Sequence, residues 1–117
     1  MKPSEAQEQA ALIQWCQAYQ DKRARFIFAI PNGMHSNPIH VSRQKAQGLR
    51  SGVPDLFLPV PSNGRHGLFI EMKVRKGGKV SKAQERWIER LNGLGYMAAV
   101  CRGLDEAIET IAQYMEA

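Results

Sequence analysis

Cysteine is scarce in this sequence. Cys16 and Cys101 are the two among 117 residues, and each sits among apolar neighbours. That excludes a disulfide-stapled scaffold and a cysteine-built zinc module. It reads as two buried free thiols in a reducing compartment. Long apolar runs are missing too: nothing approaches the roughly 20 apolar residues of a membrane span. Lys2 leads into Pro3-Ser4-Glu5 rather than into the apolar stretch of a secretory signal. The expectation is a soluble, cytoplasmic protein. Walker and dinucleotide fingerprints are absent, Gly77-Gly78 is too short to cradle a phosphate, and no internal repeat or low-complexity segment interrupts the chain.

What is present fits one domain. A chain of 117 residues, 44% hydrophobic and 23% charged, can bury a core without covalent help. Charge is unbalanced, with a net +5 and an isoelectric point near 9.5. Lys and Arg in excess favour a polyanionic partner, since phosphate contacts supply most non-specific affinity for nucleic acid.

Periodicity and turn residues divide the chain into elements. Ser4 with Gln7 is a capping-box pair that opens a helix over 4–19, and Leu12, Trp15, Cys16 and Tyr19 recur at helical spacing. At about 100° per residue, Glu5 falls near the middle of that apolar stripe, with Gln9 beside it and Glu8 nearer its edge. Residues 24–30 read as a strand ended by the Pro31-Asn32-Gly33 turn. A polar, basic stretch follows, with a short helix over 42–49 stopped by Gly48 and Gly52. Residues 53–60 and 68–74 read as a hairpin around the turn-rich 61–67 segment. Ser81 with Gln84 repeats the capping box and opens a helix to Asn92. An apolar strand over 96–101 and a helix over 104–115 complete the order. Strand, helix, strand in the last third predicts a parallel crossover, so the whole predicts an α/β fold with a central mixed β-sheet flanked by α-helices.

Within this frame the chemistry concentrates at Pro54-Asp55 and Glu71-Met72-Lys73. Side chains alternate along a strand, so Glu71 and Lys73 share one face and Met72 takes the other. The hairpin partner can bring Asp55 beside them. Two hard carboxylates suit Mg²⁺ or Mn²⁺, with the Met72 carbonyl as a further oxygen, and an ammonium beside them can orient a water or hold developing charge. Acid-x-Lys on a strand is often only a solvated face. Here the flanks are Leu68-Phe69-Ile70 and Val74, with Leu56-Phe57-Leu58 after Asp55, and charges inside buried strands need partners or a metal.

Gly52-Val53-Pro54-Asp55, Glu71-Met72-Lys73 and Gly78-Lys79-Val80-Ser81-Lys82-Ala83-Gln84, in that order, resemble the VRR-NUC domain of the PD-(D/E)XK nuclease superfamily. The resemblance runs from Glu5 to about Ile111. Ser4-Glu5 with Gln9, and Ile30-Pro31-Asn32-Gly33, are similar to the stand-alone members of phages and bacteria. The resemblance implies a restriction-endonuclease-like fold over a single domain, 1–117, and Mg²⁺- or Mn²⁺-dependent DNA cleavage. It implies that Asp55 and Glu71 bind the metal and that Lys73 serves the attacking water. A first-helix acid also contributes in the superfamily, and Glu5 is its counterpart here, with Glu8 as the fallback. Gln9 and Gln84 match further polar positions, although Gln84 serves equally as a capping residue. Stand-alone members resemble Holliday-junction resolvases acting as homodimers on branched DNA, an expectation by analogy.

Arg43, Lys45 and Arg50 before the site, and Arg75, Lys76, Lys79 and Lys82 after it, are candidate phosphate contacts, as is Asn32 after the first strand. His35, Asn37 and His40 match no compact zinc pattern. Trp15 and Trp87 sit at core phase on their helices and read as core. Two rival readings remain, a non-catalytic DNA-binding module on the same fold and an RNA-processing nuclease. No short motif separates RNA from DNA.

Overall fold

The computed structural model describes residues 2–31 and 38–116. Asn32, His35 and Asn37 lie outside the described residues. Two serines open two helices by the same device. The Ser4 hydroxyl accepts from Gln7 N at 3.1 Å while the Gln7 side chain accepts from Ser4 N at 2.9 Å, starting α1, Glu5–Ala18. Ser81 and Gln84 repeat both bonds at 3.1 and 2.8 Å, starting α3, Lys82–Gly93. Each box satisfies backbone donors that a helix start otherwise leaves to water.

The expected strand over 24–30 is largely something else. Lys22–Phe26 forms a 3₁₀ helix, and β1 is reduced to Phe28–Ala29. Asp21 causes this. Its carboxylate accepts from Arg23 N at 3.1 Å and from the Arg23 guanidinium at 2.8 Å, holding a tight turn against strand propensity. The aromatics that promised a strand, Phe26 and Phe28, are left about half exposed. The short helix also shifts. α2 spans Pro38–Ala46, earlier than the 42–49 expectation, and ends in the Gly48 turn at φ +101°.

The hairpin and crossover form as expected, with shorter strands. β2 is Leu56–Leu58, β3 is Leu68–Lys73, β4 is Met97–Arg102 and α4 is Leu104–Glu116. The sheet order is β1-β2-β3-β4, antiparallel except for β3 with β4. Asn63-Gly64, both at positive φ between the bridged Ser62 and Arg65, make the turn before β3. Ser62 and Tyr114 then tie hairpin to helix: Ser62 Oγ donates to Tyr114 O, and Tyr114 Oη donates to Val60 O, each at 2.6 Å.

Alternation along the strands sorts the two faces. Leu56, Leu58, Leu68, Ile70, Met72 and Cys101 are sealed against Leu12 and Cys16 of α1 and Ile111 of α4. Cutting one of these leucines to alanine costs about 2–5 kcal/mol by lost transfer energy and the cavity left behind. Both cysteines are buried and free, as expected, and burial pushes the Cys16 thiol up to about 11. The opposite face carries Phe57, Phe69, Glu71 and Lys73. α3 lies over it, pinned by Asn92, which exchanges hydrogen bonds of 3.1 Å with both the N–H and the carbonyl of Ala98. Among the described residues, no helix is long and apolar enough to cross a membrane.

Candidate active site

Local backbone demands place the first acid. Gly52 sits at φ +90°, and a Cβ there would stand 2.6 Å from the Ala83 carbonyl carbon of α3. Glycine alone lets the chain pass this close. Buried Pro54 follows, so Asp55 is delivered at the head of β2 directly against α3. The pairing of Leu56 with Ile70, continued by one residue, sets Asp55 opposite Glu71. One Asp55 oxygen accepts from Met72 N at 2.8 Å, which fixes the carboxylate across the two strands.

Glu71 is 2% exposed and Lys73 is 9% exposed, on the same face of β3. Lys73 Nζ stands 3.9 Å from Glu71 Oε2. The same oxygen accepts from Gln84 Nε2 at 3.0 Å. Gln84 therefore does both things the sequence allowed: its oxygen caps α3 and its nitrogen holds Glu71. Among the described residues, Glu71 Oε1 is the one buried side-chain polar atom with no hydrogen-bond partner.

Burial is the main cause that pushes the Glu71 carboxyl up to about 8. Repulsion from Asp55, and a hydrogen bond to its carboxylate when Glu71 holds a proton, add to it, the Lys73 ammonium opposes it, and Glu5 adds a smaller repulsion. Two ionised carboxylates cannot hydrogen-bond each other. A shared proton or a cation relieves such a pair.

The first helix corrects one expectation and bears on another. Glu5 is exposed, not buried on the stripe; Glu8 is the buried acid, 3% exposed, in line with Leu12 and Cys16. Idealised phase misjudged the buried row, which runs every fourth residue through Glu8, Leu12 and Cys16 and leaves Glu5 beside it. Glu8 is engaged away from the centre: its Oε1 accepts from Arg75 Nε at 3.1 Å and from Leu104 N, the start of α4, at 3.2 Å. Glu5 is the first-helix acid whose charge reaches Glu71. Gln9 beside it is half-buried.

The basic candidates divide. Lys76, Lys79 and Lys82 are exposed on the loop after β3 and the start of α3, and Arg43, Lys45 and Arg50 are exposed on and after α2. Arg75 is also exposed but anchored, to Glu8 and to Asp105 at 3.9 Å. Sequence reasoning missed Arg102. Paired with Lys73 in the β3–β4 register, it donates to the carbonyls of Val74, Gly77 and Gly78 at 3.3, 2.6 and 3.0 Å. One guanidinium thus shapes the loop that follows Lys73. A lone arginine ending a strand carries no motif that would have revealed this. Trp87 also departs from expectation, being half-buried rather than core.

The centre thus offers two hard carboxylates, a neighbouring backbone carbonyl and an ammonium within a few ångströms. Among the described residues no three His, Cys, Asp or Glu side chains group as a metal cluster, so a cation here would rest on two acids and main-chain oxygen.

The profile of the VRR-NUC domain family matches residues 3–105. A solved structure described as a VRR_NUC domain protein superposes with a TM-score of 0.87 at 28% identity, over 99% of this chain and 91% of that one. No curated protein matches. The matched span holds Glu5, Asp55, Glu71, Lys73 and Gln84 together, and the mixed sheet with flanking helices agrees with the restriction-endonuclease-like fold. The chain belongs to the VRR-NUC domain family, within the PD-(D/E)XK nuclease superfamily.

Proposed function

We propose that this protein is a metal-dependent endonuclease that hydrolyses phosphodiester bonds in DNA, with Asp55, Glu71 and Lys73 as its catalytic centre. The observation that carries this reading is the buried Glu71 oxygen that, with both acids ionised, has no partner beside Asp55 and Lys73. Keeping such an oxygen dry and unsatisfied costs about 1–3 kcal/mol. A divalent cation removes that cost and the repulsion between the acids. The residues therefore fit Mg²⁺ or Mn²⁺: Asp55, Glu71 and the Met72 carbonyl would hold it, all hard oxygen donors. Bound there, the ion supplies charge for the phosphoryl oxygens and a lower pKa for water.

The chain's own groups do the rest. The Met72 N–H and the Gln84 amide hold Asp55 and Glu71 in fixed rotamers, so no reorganisation is needed during reaction. Lys73, seated deeper than any surface lysine, orients the attacking water and balances charge as it develops on the phosphate. Exposed Glu5, at the start of α1, adds a further carboxylate to the rim. Lys76, Lys79 and Lys82 after β3, and Arg43 and Lys45 on α2, supply phosphate contacts along the strand. By analogy with stand-alone members of the family, the proposal extends to a homodimer acting on branched, junction-like DNA, since a chain with one centre cuts one strand at a time.

The test is a cleavage panel of duplex, flap, four-way junction and single strand, with Mg²⁺ and with EDTA. Junction or flap cleavage that needs Mg²⁺ is expected, from a species scattering light at twice 13.1 kDa. Lys73→Ala is expected to stay folded by circular dichroism and to lose at least about a hundredfold in rate. Undiminished cleavage by that variant would remove Lys73 from the mechanism, and metal-independent cleavage would remove the carboxylate pair.

A further inference from the structure

A cavity of about 570 Å³ that the cleavage reaction does not use opens against the segment leading into Asp55 and against α3. Trp87 of α3, Ile30 and Val53 give it apolar walls, and Gln44, Gln47 and Arg50 give it polar ones. It is joined to the centre by backbone. Val53 leads directly into Pro54-Asp55, and Ile30 N donates to Asp55 O at 2.7 Å. Ala83, against which Gly52 packs, precedes the Gln84 that holds Glu71. A ligand in the cavity therefore touches the strand-entry segment that carries Asp55 and the helix that carries Gln84.

From this juxtaposition we infer that the cavity is a subsite for an unpaired nucleobase next to the cut. The inference rests on the nuclease reading and narrows its substrate. The lining has the three chemistries a nucleotide presents. An indole stacks on a flat π-face. The exposed Gln47 carboxamide offers a paired donor and acceptor to a base edge. A guanidinium meets a phosphate. The Arg90 guanidinium lies over the Trp87 ring, 5.0 Å from its centroid, which steadies the indole at the cavity wall. A base inside a duplex is stacked on both faces and its pairing edge is covered, so it cannot enter. A base at a bulge, a flap or the branch point of a junction can. The subsite thus gives a physical route from this fold to structure selectivity.

Two tryptophans in the chain make the test direct. Trp15→Phe preserves a ring against Tyr19, with which Trp15 stacks at 4.3 Å, and leaves Trp87 as the single indole. In EDTA, where cleavage is suspended, oligothymidylate and a duplex carrying one unpaired nucleotide are expected to quench Trp87 emission. A blunt duplex of equal length is expected to bind with little quenching. Trp87→Leu, with Trp15 kept, should weaken binding of the bulged duplex about tenfold and leave the blunt duplex unchanged. Should that variant not fold, Gln47→Glu at the exposed wall should weaken the bulged duplex selectively by placing a carboxylate at the base edge. Equal quenching by all three probes, or none by any, overturns the subsite. Binding with quenching but no cleavage in Mg²⁺ would sink the nuclease reading instead. Cleavage with an inert Trp87 would sink only the subsite.

Discussion

Glu71 concentrates the tension between stability and activity at a single side chain. Its carboxyl holds a proton more tightly in the folded chain, up to about 8, than its ordinary value of 4.5. Metal-free stability from this group is thus fully present below 4.5 and is lost as pH rises through 8. Glu71→Gln keeps a polar group for Gln84 and removes the ionisation. In EDTA at pH 8.5 that variant is expected to melt roughly 5 °C above the parent. It should also flatten the fall in melting temperature between pH 5 and pH 8.5. Added Mg²⁺ should raise the parent's melting temperature and leave the variant's unmoved. A variant with the parent's pH slope would show that the burden lies elsewhere. The capping boxes, by contrast, were readable from residue identity alone, because Ser4–Gln7 and Ser81–Gln84 are contacts three residues apart.

Loops and short elements depend on partners far along the chain. The 74–78 loop contains Gly77 and Gly78 at positive φ and little of its own to hold it. Arg102 supplies the order through three carbonyl contacts from β4. Arg102→Ala should leave the sheet intact and free the loop, so that trypsin cuts after Lys76 or Lys79 at least about tenfold faster while other sites keep their rates. Unchanged cleavage kinetics would mean that the loop is ordered by its own turns. The same dependence explains the misread segment over 24–30. Phe26, Ile27 and Phe28 have strand propensity, but Asp21 and Arg23 close a turn before it and β1 keeps two residues. Propensity lost to a local side-chain bond that no strand template considers.

Over the whole molecule the excess positive charge acts at a distance. Lys76, Lys79 and Lys82 ring the side of the centre where β3 runs into α3, while the carboxylates stay sunk in the sheet. Replacing Lys76 and Lys79 together with alanine is expected to reduce the slope of log affinity for DNA against log salt by roughly 2. An unaltered slope would leave both lysines as bystanders. Arg75 should contribute less to that slope than its exposure implies, since its guanidinium already serves Glu8 and Asp105.

The sequence by itself determined the two helix starts, the hairpin and crossover, and the meeting of Asp55, Glu71 and Lys73. These follow from contacts within a few residues and from two-residue alternation, which any strand pairing preserves. Tertiary structure alone decided which first-helix acid turns inward, what Arg102 grips and what Trp87 lines. In each case the deciding partner lies on another element, and its distance is fixed by how helices seat on the sheet, which no local pattern encodes.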